Sequence, residues 1–329
     1  MLKRLHATSL ALVLLAIVLA LPTLVVAADQ GSGLNWFKIQ TQSGPSRRAA
    51  MAMAYDHVSK TVVLFGGFND NSYLSDTWIF DGSGWSKVKS ANPPSARAAA
   101  RMAFDEVTHQ LVLFGGFDGQ NYLNDTWLWD GSTKTWTQAE PKRVPPGVTS
   151  PMLFTDPSSG HVILFGGFDG KLYQGATYRW TGSNWRLLQP ANSPGARSSA
   201  IVAYDPAAKQ VVLYGGLADL RPDNTWTWDG TTWTEQFPDT QPPLVYDAGA
   251  AYDPHLGEVV AFGGGHGGVD QDTTWTWDGT DWTEVATAKS PSAREFMGMA
   301  YIKELGHMIL FGGSAQGKFM NDTWELNRR

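Results

Sequence analysis

Short apolar runs alternate with turn residues along the chain from residue 34 onward. In the first unit of this pattern the runs are Ala49–Tyr55, Thr61–Phe65, Thr77–Phe80 and Trp85–Val88, separated by clusters of Asp, Asn, Ser and Gly. Runs of four to seven residues bounded by such clusters are typical of β-strands, and consecutive runs pair as antiparallel neighbours. Each unit therefore predicts a four-stranded antiparallel sheet.

The unit recurs six times at a nearly constant period. A glycine pair follows the second run of each unit, and the steps between the first glycines are 49, 51, 49, 48 and 49 residues. A threonine followed by an aromatic residue opens the third run, with the aromatic residue 11 or 12 positions after the first glycine. Propellers contain about 4–8 four-stranded blades. The sequence therefore predicts an all-β fold, a six-bladed β-propeller.

Leu34–Gln40 forms an additional strand before the first complete unit. Its Trp36 precedes Arg48 by 12 residues, the same distance that separates the fourth-strand tryptophan from the following arginine in the first and fifth units. The sixth unit has no fourth strand after Thr323–Leu326. We therefore predict that Leu34–Gln40 pairs with Thr323–Leu326 and closes the ring, which removes two exposed sheet edges.

The repeated elements resemble kelch repeats. They are the glycine pair after an apolar strand, the Thr-Trp-x-Trp-Asp-Gly third strand and the tryptophan that follows it. The period favours kelch repeats over WD40 repeats, whose period is about 40–45 residues. The resemblance covers Leu34–Arg329 and implies a propeller like the central domain of galactose oxidase. It leaves the function open, because kelch propellers include protein binders, sugar oxidases and sugar-acid mutarotases.

The first 28 residues have the layout of a secretory signal peptide. Lys3 and Arg4 precede the uncharged stretch Ala7–Ala28, whose apolar centre is followed by small residues. We expect cleavage before Ala28 or Asp29, the alternative being an uncleaved membrane anchor. The predicted organisation is a signal peptide at 1–28, a short linker at 29–33 and a kelch propeller at 34–329. The mature protein is expected to be secreted or periplasmic, without a membrane span.

Composition excludes several kinds of chemistry. The chain has no cysteine, which excludes disulfides, thiol catalysis and the Tyr–Cys crosslink of copper sugar oxidases of the kelch kind. Its net charge is −6 and it has no basic blocks, so we predict no nucleic-acid partner. No glycine-rich stretch opens a helix, so no nucleotide cofactor is predicted. We expect a monomer without cofactor or metal, with calcium in the oxygen-rich loops as an alternative.

All 15 tryptophans fall at repeat positions. Five begin third strands, four stand two residues later and six lie in fourth strands. Side chains two residues apart on a strand share one face of the sheet, so the third-strand aromatics are expected to pack against the neighbouring blade. Packing is therefore preferred over a glycan-stacking surface.

Four arginines occupy one repeat position just before the first strand, namely Arg48, Arg97, Arg197 and Arg294. First strands of propellers line the axis, so we expect these arginines to ring the channel mouth on the face formed by the loops after the second and fourth strands. There they would clamp a carboxylate or sulfate, which favours an anionic partner. The alternative is a structural bond to the backbone of a neighbouring blade.

Five further candidates depart from the repeat. Units five and six begin with Tyr246-Asp247 and with Glu295, where the other units carry Ala, Ser or Thr, and the glycine-rich loop of unit five contains His266. Arg101 is a charged residue inside a first strand. We predict that these residues and the four arginines form a ligand-binding site at the channel mouth. Catalytic residues stay unassigned.

Two functions fit these observations. The first is an exported, non-catalytic binding module that uses this face to hold an extracytoplasmic protein or glycan. The alternative is an enzyme similar to sialic-acid mutarotases, in which Arg294, Glu295, Arg101 and Asp247 supply a carboxylate clamp and an acid–base pair. Protein or carbohydrate binding is the leading prediction.

Overall fold

The computed structural model describes residues 33–219 and 222–328, and the regular secondary structure in these ranges is β-strand. The predicted signal peptide at 1–28 and most of the predicted linker at 29–33 lie outside the described residues. Among the described residues there is no helix that could cross a membrane.

The strands form six four-stranded antiparallel sheets, which are the blades of a propeller. The first strand of the described residues is β1 (Leu34–Ile39), which belongs to the last blade. Blade 1 contains β2 (Ala52–Asp56), β3 (Thr61–Phe65), β4 (Thr77–Phe80) and β5 (Trp85–Val88). Blade 2 contains β6 (Arg101–Asp105), β7 (Gln110–Phe114), β8 (Thr126–Asp130) and β9 (Thr135–Ala139). Blade 3 contains β10 (Met152–Thr155), β11 (Val162–Phe165), β12 (Thr177–Trp180) and β13 (Trp185–Leu187).

The remaining blades follow the same plan, and two of them carry an extra hairpin. Blade 4 contains β14 (Ile201–Asp205), β15 (Gln210–Tyr214), β16 (Thr225–Trp228) and β17 (Trp233–Gln236). Blade 5 contains β18 (Gly249–Asp253), β19 (Glu258–Phe262), the hairpin β20 (Gly265–His266) and β21 (Val269–Asp270), β22 (Thr274–Trp277) and β23 (Trp282–Val285). Blade 6 contains β24 (Gly298–Ile302), β25 (His307–Phe311), the hairpin β26 (Ser314–Ala315) and β27 (Lys318–Phe319), and β28 (Thr323–Arg328), and it is completed by β1.

Apolar side chains cover both faces of each sheet because every blade packs between two neighbours. The second strand of blade 1, β3, is buried along its whole length. Buried residues form six clusters, one between each pair of adjacent blades. In one of them Val63 and Phe65 of blade 1 pack against Trp129 and Trp136 of blade 2. This inter-blade core agrees with the packing role predicted for the tryptophans.

β1 pairs with β28 in antiparallel register from Leu34 opposite Arg328 to Ile39 opposite Thr323. The pairing is the one that the repeat spacing predicts. Trp36 is fully buried, and its ring lies 5.1 Å from that of Phe262 in blade 5. A strand from the beginning of the propeller thus occupies the position of a fourth strand in the last blade.

Hydrogen bonds from tryptophan to threonine join each blade to the one before it. The indole Nε1 of the fourth-strand tryptophan donates to the Oγ1 of the threonine that opens the preceding blade's third strand, at 2.9–3.4 Å. Five such pairs are Trp85–Thr323, Trp136–Thr77, Trp185–Thr126, Trp233–Thr177 and Trp282–Thr225. These bonds explain why a threonine opens the third strand and why a tryptophan recurs in the fourth strand.

Candidate functional site

The propeller has two faces. The face formed by the connections from second to third strands, and from each fourth strand to the next blade, is called the loop face. The turn face is the opposite one, formed by the turns between first and second strands and between third and fourth strands.

The four arginines of the shared repeat position do not reach the channel mouth. Their exposed fractions are only 0–2%. The guanidinium group of Arg48 contacts the carboxylate of Asp76 at 2.5 and 2.9 Å, and it donates to the carbonyl of Gly66 at 3.0 Å. The same arrangement recurs in Arg97–Asp125 and Arg294–Asp322. The prediction that these arginines ring the mouth is wrong, because their side chains are bonded inside their own blades.

The side chain that faces this arginine varies together with it from blade to blade. In blade 4, Arg197 meets the amide oxygen of Asn224 at 3.2 Å in place of a carboxylate, and burial lowers the pKa of Arg197 to about 10. Blades 3 and 5 carry valine at the arginine position and have no carboxylate at the partner position; the two pairs are Val148/Ala176 and Val245/Thr273. The arginine is therefore one half of a structural pair.

Six backbone hydrogen bonds form a closed ring around the axis at the loop face. Each blade contributes one residue, whose N–H donates to the carbonyl oxygen of the equivalent residue in the preceding blade at 2.8–3.0 Å. All six have a positive φ of 45–59°. The ring residues are Ala50, Ala99, Ser150, Ser199, Asp247 and Phe296. The positive φ turns each N–H toward the neighbouring blade, so this strained conformation is compensated by bonding.

The ring is the floor of a cup on the loop face. The cup has a volume of about 460 Å³, and all six ring residues line it. Its wall is formed by the loops between second and third strands. On one side these loops contribute aromatic side chains, among them Phe68, Tyr73, Phe117 and Tyr122. A cavity of this size, partly apolar and with a few polar groups, is the usual form of a binding site.

Seven aromatic rings form a continuous arc along the rim of blades 6, 1, 2 and 3. Successive ring centroids are 4.9–6.1 Å apart. In order the arc consists of Phe319, Phe68, Tyr73, Phe117, Tyr122, Phe168 and Tyr173. Tyr122 is 37% exposed, and the other rings are half-buried. The arc therefore presents apolar surface to the solvent while its rings hold one another in place.

The loop sequence explains the position of these rings. In blades 1–3 a phenylalanine follows the glycine pair and bridges to a tyrosine five residues later. The turn between them is stabilised by a side-chain oxygen that accepts two backbone N–H groups, as Asp118 does from Gln120 and Asn121. Gly119 lies against the ring of Tyr73. A Cβ at this position would be only 2.9 Å from that ring, so a larger residue would crowd it. The aspartates of these loops thus have a turn role.

Charged side chains lie at and below the floor of the cup, around Asp247. Arg101 of blade 2 reaches across the axis to Asp247 of blade 5, with 3.2 Å between Nη2 and Oδ1. Burial raises the pKa of the Asp247 carboxyl to about 6, although Arg101 opposes this shift. Burial and the carboxylates of Asp247 and Asp270 raise the pKa of Glu295 to about 7.

Tyr246 and Glu295 come together at Gly265. A Cβ at Gly265 would lie 2.4 Å from the Tyr246 ring and 2.6 Å from a Glu295 oxygen, so the absent side chain leaves room for both. Beside it, His266 Nδ1 is 2.6 Å from the carbonyl oxygen of Leu244.

The structure thus brings five predicted site residues together and leaves out the four arginines. Arg101, Tyr246, Asp247, His266 and Glu295 lie at or beside the cup. The aromatic arc was not predicted, although the Phe and Tyr five residues apart after the glycine pair in three units were a visible signal. Among the described residues, no group of three or more histidine or carboxylate side chains is arranged to hold a metal ion.

Residues 26–216 match the family model of the KLHDC2/KLHL20/DRC7 Kelch-repeats domain. The chain belongs to the kelch-repeat family. No curated protein matches the chain. Family and fold together indicate a protein-interaction module.

Proposed function

We propose that this kelch propeller is an exported binding module that holds a protein partner in the cup on its loop face. The aromatic arc is the observation that carries the proposal. Aromatic side chains dominate the energetics of protein interfaces because they bury a large area with few rotatable bonds. Rings that already pack against one another lose little conformational freedom when a partner binds.

The arrangement of the rings favours a protein segment over a glycan. Successive rings of the arc are inclined to each other by 44–81°, so they form an uneven apolar surface. A sugar stacks best on a flat, freely exposed ring face, whereas apolar side chains of a peptide fill the hollows between inclined rings.

The charged side chains near the cup indicate which charge the partner should carry. Asp247 and Asp270 are close enough to Glu295 to raise its pKa. Glu295 bridges to Ser314, which pairs with Phe319 at the blade 6 end of the arc. We therefore expect the partner to place a lysine or arginine near Glu295 and apolar side chains on the arc. The earlier preference for an anionic partner loses its basis, because the arginines that suggested it are buried.

The mutarotase-like alternative loses its carboxylate clamp. The Arg294 guanidinium is bonded to Asp322 and to the carbonyl of Gly312. Arg101 is bonded to Asp247. Of the residues suggested for that activity, Glu295 and Asp247 keep carboxyl groups with pKa values of about 7 and about 6, but Asp247 is buried against Arg101. Neither of the two suggested arginines is left to bind a carboxylate, and we therefore propose the binding module.

Export is part of the proposal and rests on the pattern of the first 28 residues. The experiment is to express the full chain in a secreting host and to determine the N-terminus of the mature product. We expect a product in the extracytoplasmic fraction that begins at Ala28 or Asp29. An intact N-terminus in the cytoplasmic fraction would contradict export without affecting the binding surface.

The binding surface is tested by selecting peptides from a displayed random library against the mature chain. We expect the selected peptides to combine apolar residues with lysine or arginine, and their binding to weaken at least tenfold in Tyr73→Ser/Tyr122→Ser. Phe237→Ser is the matched control, because Phe237 is an aromatic residue that is 84% exposed and does not line the cup. Full binding by Tyr73→Ser/Tyr122→Ser, or selection of acidic peptides, would refute the proposed surface.

A further inference from the structure

The turn face carries a second aromatic cavity, distinct from the cup. In five blades the residue at one repeat position near the end of the first strand is aromatic, and blade 3 has Thr155 there. The aromatic residues are Tyr55, Phe104, Tyr204, Tyr252 and Tyr301. Because the first strands surround the axis, these side chains line one cavity of about 270 Å³ at the turn-face end of the channel. The backbone ring and the Arg101–Asp247 pair lie between this cavity and the cup.

Carboxylates predominate around this cavity. The six turns that follow the first strands, at 56–60, 105–109, 156–161, 205–209, 253–258 and 302–307, contain eight aspartates and glutamates but three lysines. Burial raises the pKa of the Tyr252 hydroxyl, and the carboxylates of Asp205 and Asp253 raise it further. Burial and nearby carboxylates, including Asp205 and Glu106, act on Tyr204 in the same direction. The tyrosines therefore lie in a negative electrostatic field.

Two of the tyrosines are fixed by hydrogen bonds at the rim. The Tyr55 hydroxyl donates to the carboxylate of Glu304, and the Tyr301 hydroxyl lies 2.9 Å from His255 Nδ1. Phe104 is covered on one side by the imidazole of His57, with the ring centroids 4.5 Å apart and the planes inclined by 29°. The hydroxyl contacts engage the outer ends of Tyr55 and Tyr301, and the His57 contact covers one face of Phe104, while all three residues still line the cavity.

We propose that this turn-face cavity binds a small organic cation of the quaternary ammonium class. Aromatic faces attract a cation through their quadrupole, and several rings around one site form the usual cage for a methylated ammonium group. The surrounding carboxylates add Coulomb attraction without requiring direct contact. A methylated ammonium group needs no hydrogen-bond partner, which suits a cavity walled by rings and methionines. The proposal is independent of the peptide partner on the loop face.

The decisive experiment compares choline with 3,3-dimethyl-1-butanol, which has the same shape but no charge. Both probes are titrated into the mature chain at pH 8, where histidine side chains with ordinary pKa values are neutral, and at constant ionic strength. Binding is followed by the NMR signals of the tyrosine rings. We expect choline to bind at least about tenfold more tightly than the neutral probe, because the ring quadrupole and the surrounding carboxylates attract only the charged probe.

Variants locate the site and control for folding. We expect Tyr252→Leu to weaken choline binding at least fivefold, whereas Tyr252→Phe keeps the ring face and retains most of the affinity. Tyr122→Ser, on the loop face, should bind choline like the wild type, and the melting temperature of each variant verifies folding. Equal affinity for the two probes, no shift of tyrosine signals with choline, or equal loss in Tyr252→Phe and Tyr252→Leu would overturn the proposal.

Discussion

The indole Nε1 of Trp36 donates a hydrogen bond of 3.0 Å to the Oγ1 of Thr274 in blade 5. This is the sixth of the tryptophan–threonine bonds, and it makes the series circular. The two residues are 238 positions apart in the chain. β1 therefore supplies both the missing strand of blade 6 and the bond that joins blade 6 to blade 5.

We predict that Trp36→Ala lowers the free energy of unfolding by about 3–5 kcal/mol, because it removes a fully buried indole. Trp36→Phe combined with Thr274→Val in a double-mutant cycle should give a coupling energy of about 1 kcal/mol for the hydrogen bond. Urea denaturation measures both values. The control is Lys38→Ala on the same strand, with an expected change within about 0.5 kcal/mol. A tolerated Trp36→Ala would mean that β1 is dispensable for the ring.

The arginine–aspartate pair can be replaced by the pair that blade 3 already uses. Arg48→Val alone should destabilise by about 3 kcal/mol or more, since it leaves the Asp76 carboxylate without its main partner. Arg48→Val/Asp76→Ala reproduces Val148/Ala176 and should recover a large part of that loss. Guanidinium chloride unfolding of the three proteins tests this. Equal or greater loss in the double variant would show that Arg48 does not act chiefly as the partner of Asp76.

Blade 4 contains a bond that can be restored. In blades 1, 2 and 6 the aspartate also accepts a hydrogen bond from a third-strand tryptophan, as Asp76 does from Trp78 at 2.7 Å. In blade 4 the buried Nε1 of Trp226 has no hydrogen-bond partner among the described residues, because Asn224 directs its amide nitrogen to Glu235.

Asn224→Asp with Glu235→Gln should therefore stabilise the protein by about 1 kcal/mol, the usual contribution of one hydrogen bond. Glu235→Gln is included to avoid two adjacent carboxylates, and it is also the single-variant control. Thermal unfolding measures the gain. A double variant no more stable than Glu235→Gln would indicate that Trp226 and Arg197 do not use the new carboxylate.

Glu295 makes stability depend on pH in a defined direction. Its pKa is raised from an ordinary value of 4.5 to about 7 in the folded state, so the folded protein binds the proton more tightly than the unfolded chain. Stability from this group is therefore highest below pH 4.5 and falls as the pH rises toward 7. Glu295→Gln should melt at a higher temperature than the wild type at pH 8, and the difference should shrink to zero near pH 4. A constant difference across this range would contradict the shifted pKa.

The repeat pattern predicted the architecture because period and spacing are properties of the backbone. The number of blades, the strand order and the partner of β1 follow from the positions of glycine pairs and tryptophans alone. The direction of a side chain does not follow from its repeat position, and for this reason Arg48 and its equivalents were placed at the mouth. Their partners were nevertheless visible in the sequence. The residue 27 or 28 positions later is Asp or Asn in the units that carry Arg, and Ala or Thr in the units that carry Val.

The loop face was predicted less completely for two physical reasons. The ring residues adopt a left-handed conformation that usually favours glycine, yet they are Ala, Ser, Asp and Phe, so nothing in their identity indicates it. The aromatic arc depends on contacts between loops of different blades, as between Tyr73 and Phe117. Such contacts exist only after the ring of blades has closed. Asp247 and Glu295, by contrast, could be recognised by comparing each sequence repeat with the others.

The backbone ring from Ala50 to Phe296 has a consequence for local fluctuations. A solenoid can fray from its terminal repeats, but this circle of hydrogen bonds has no terminal member. A residue can leave it only when the bonds to both neighbouring blades break. The amide hydrogens of the six ring residues should therefore exchange with solvent only through global unfolding, although they lie at the bottom of an open cup.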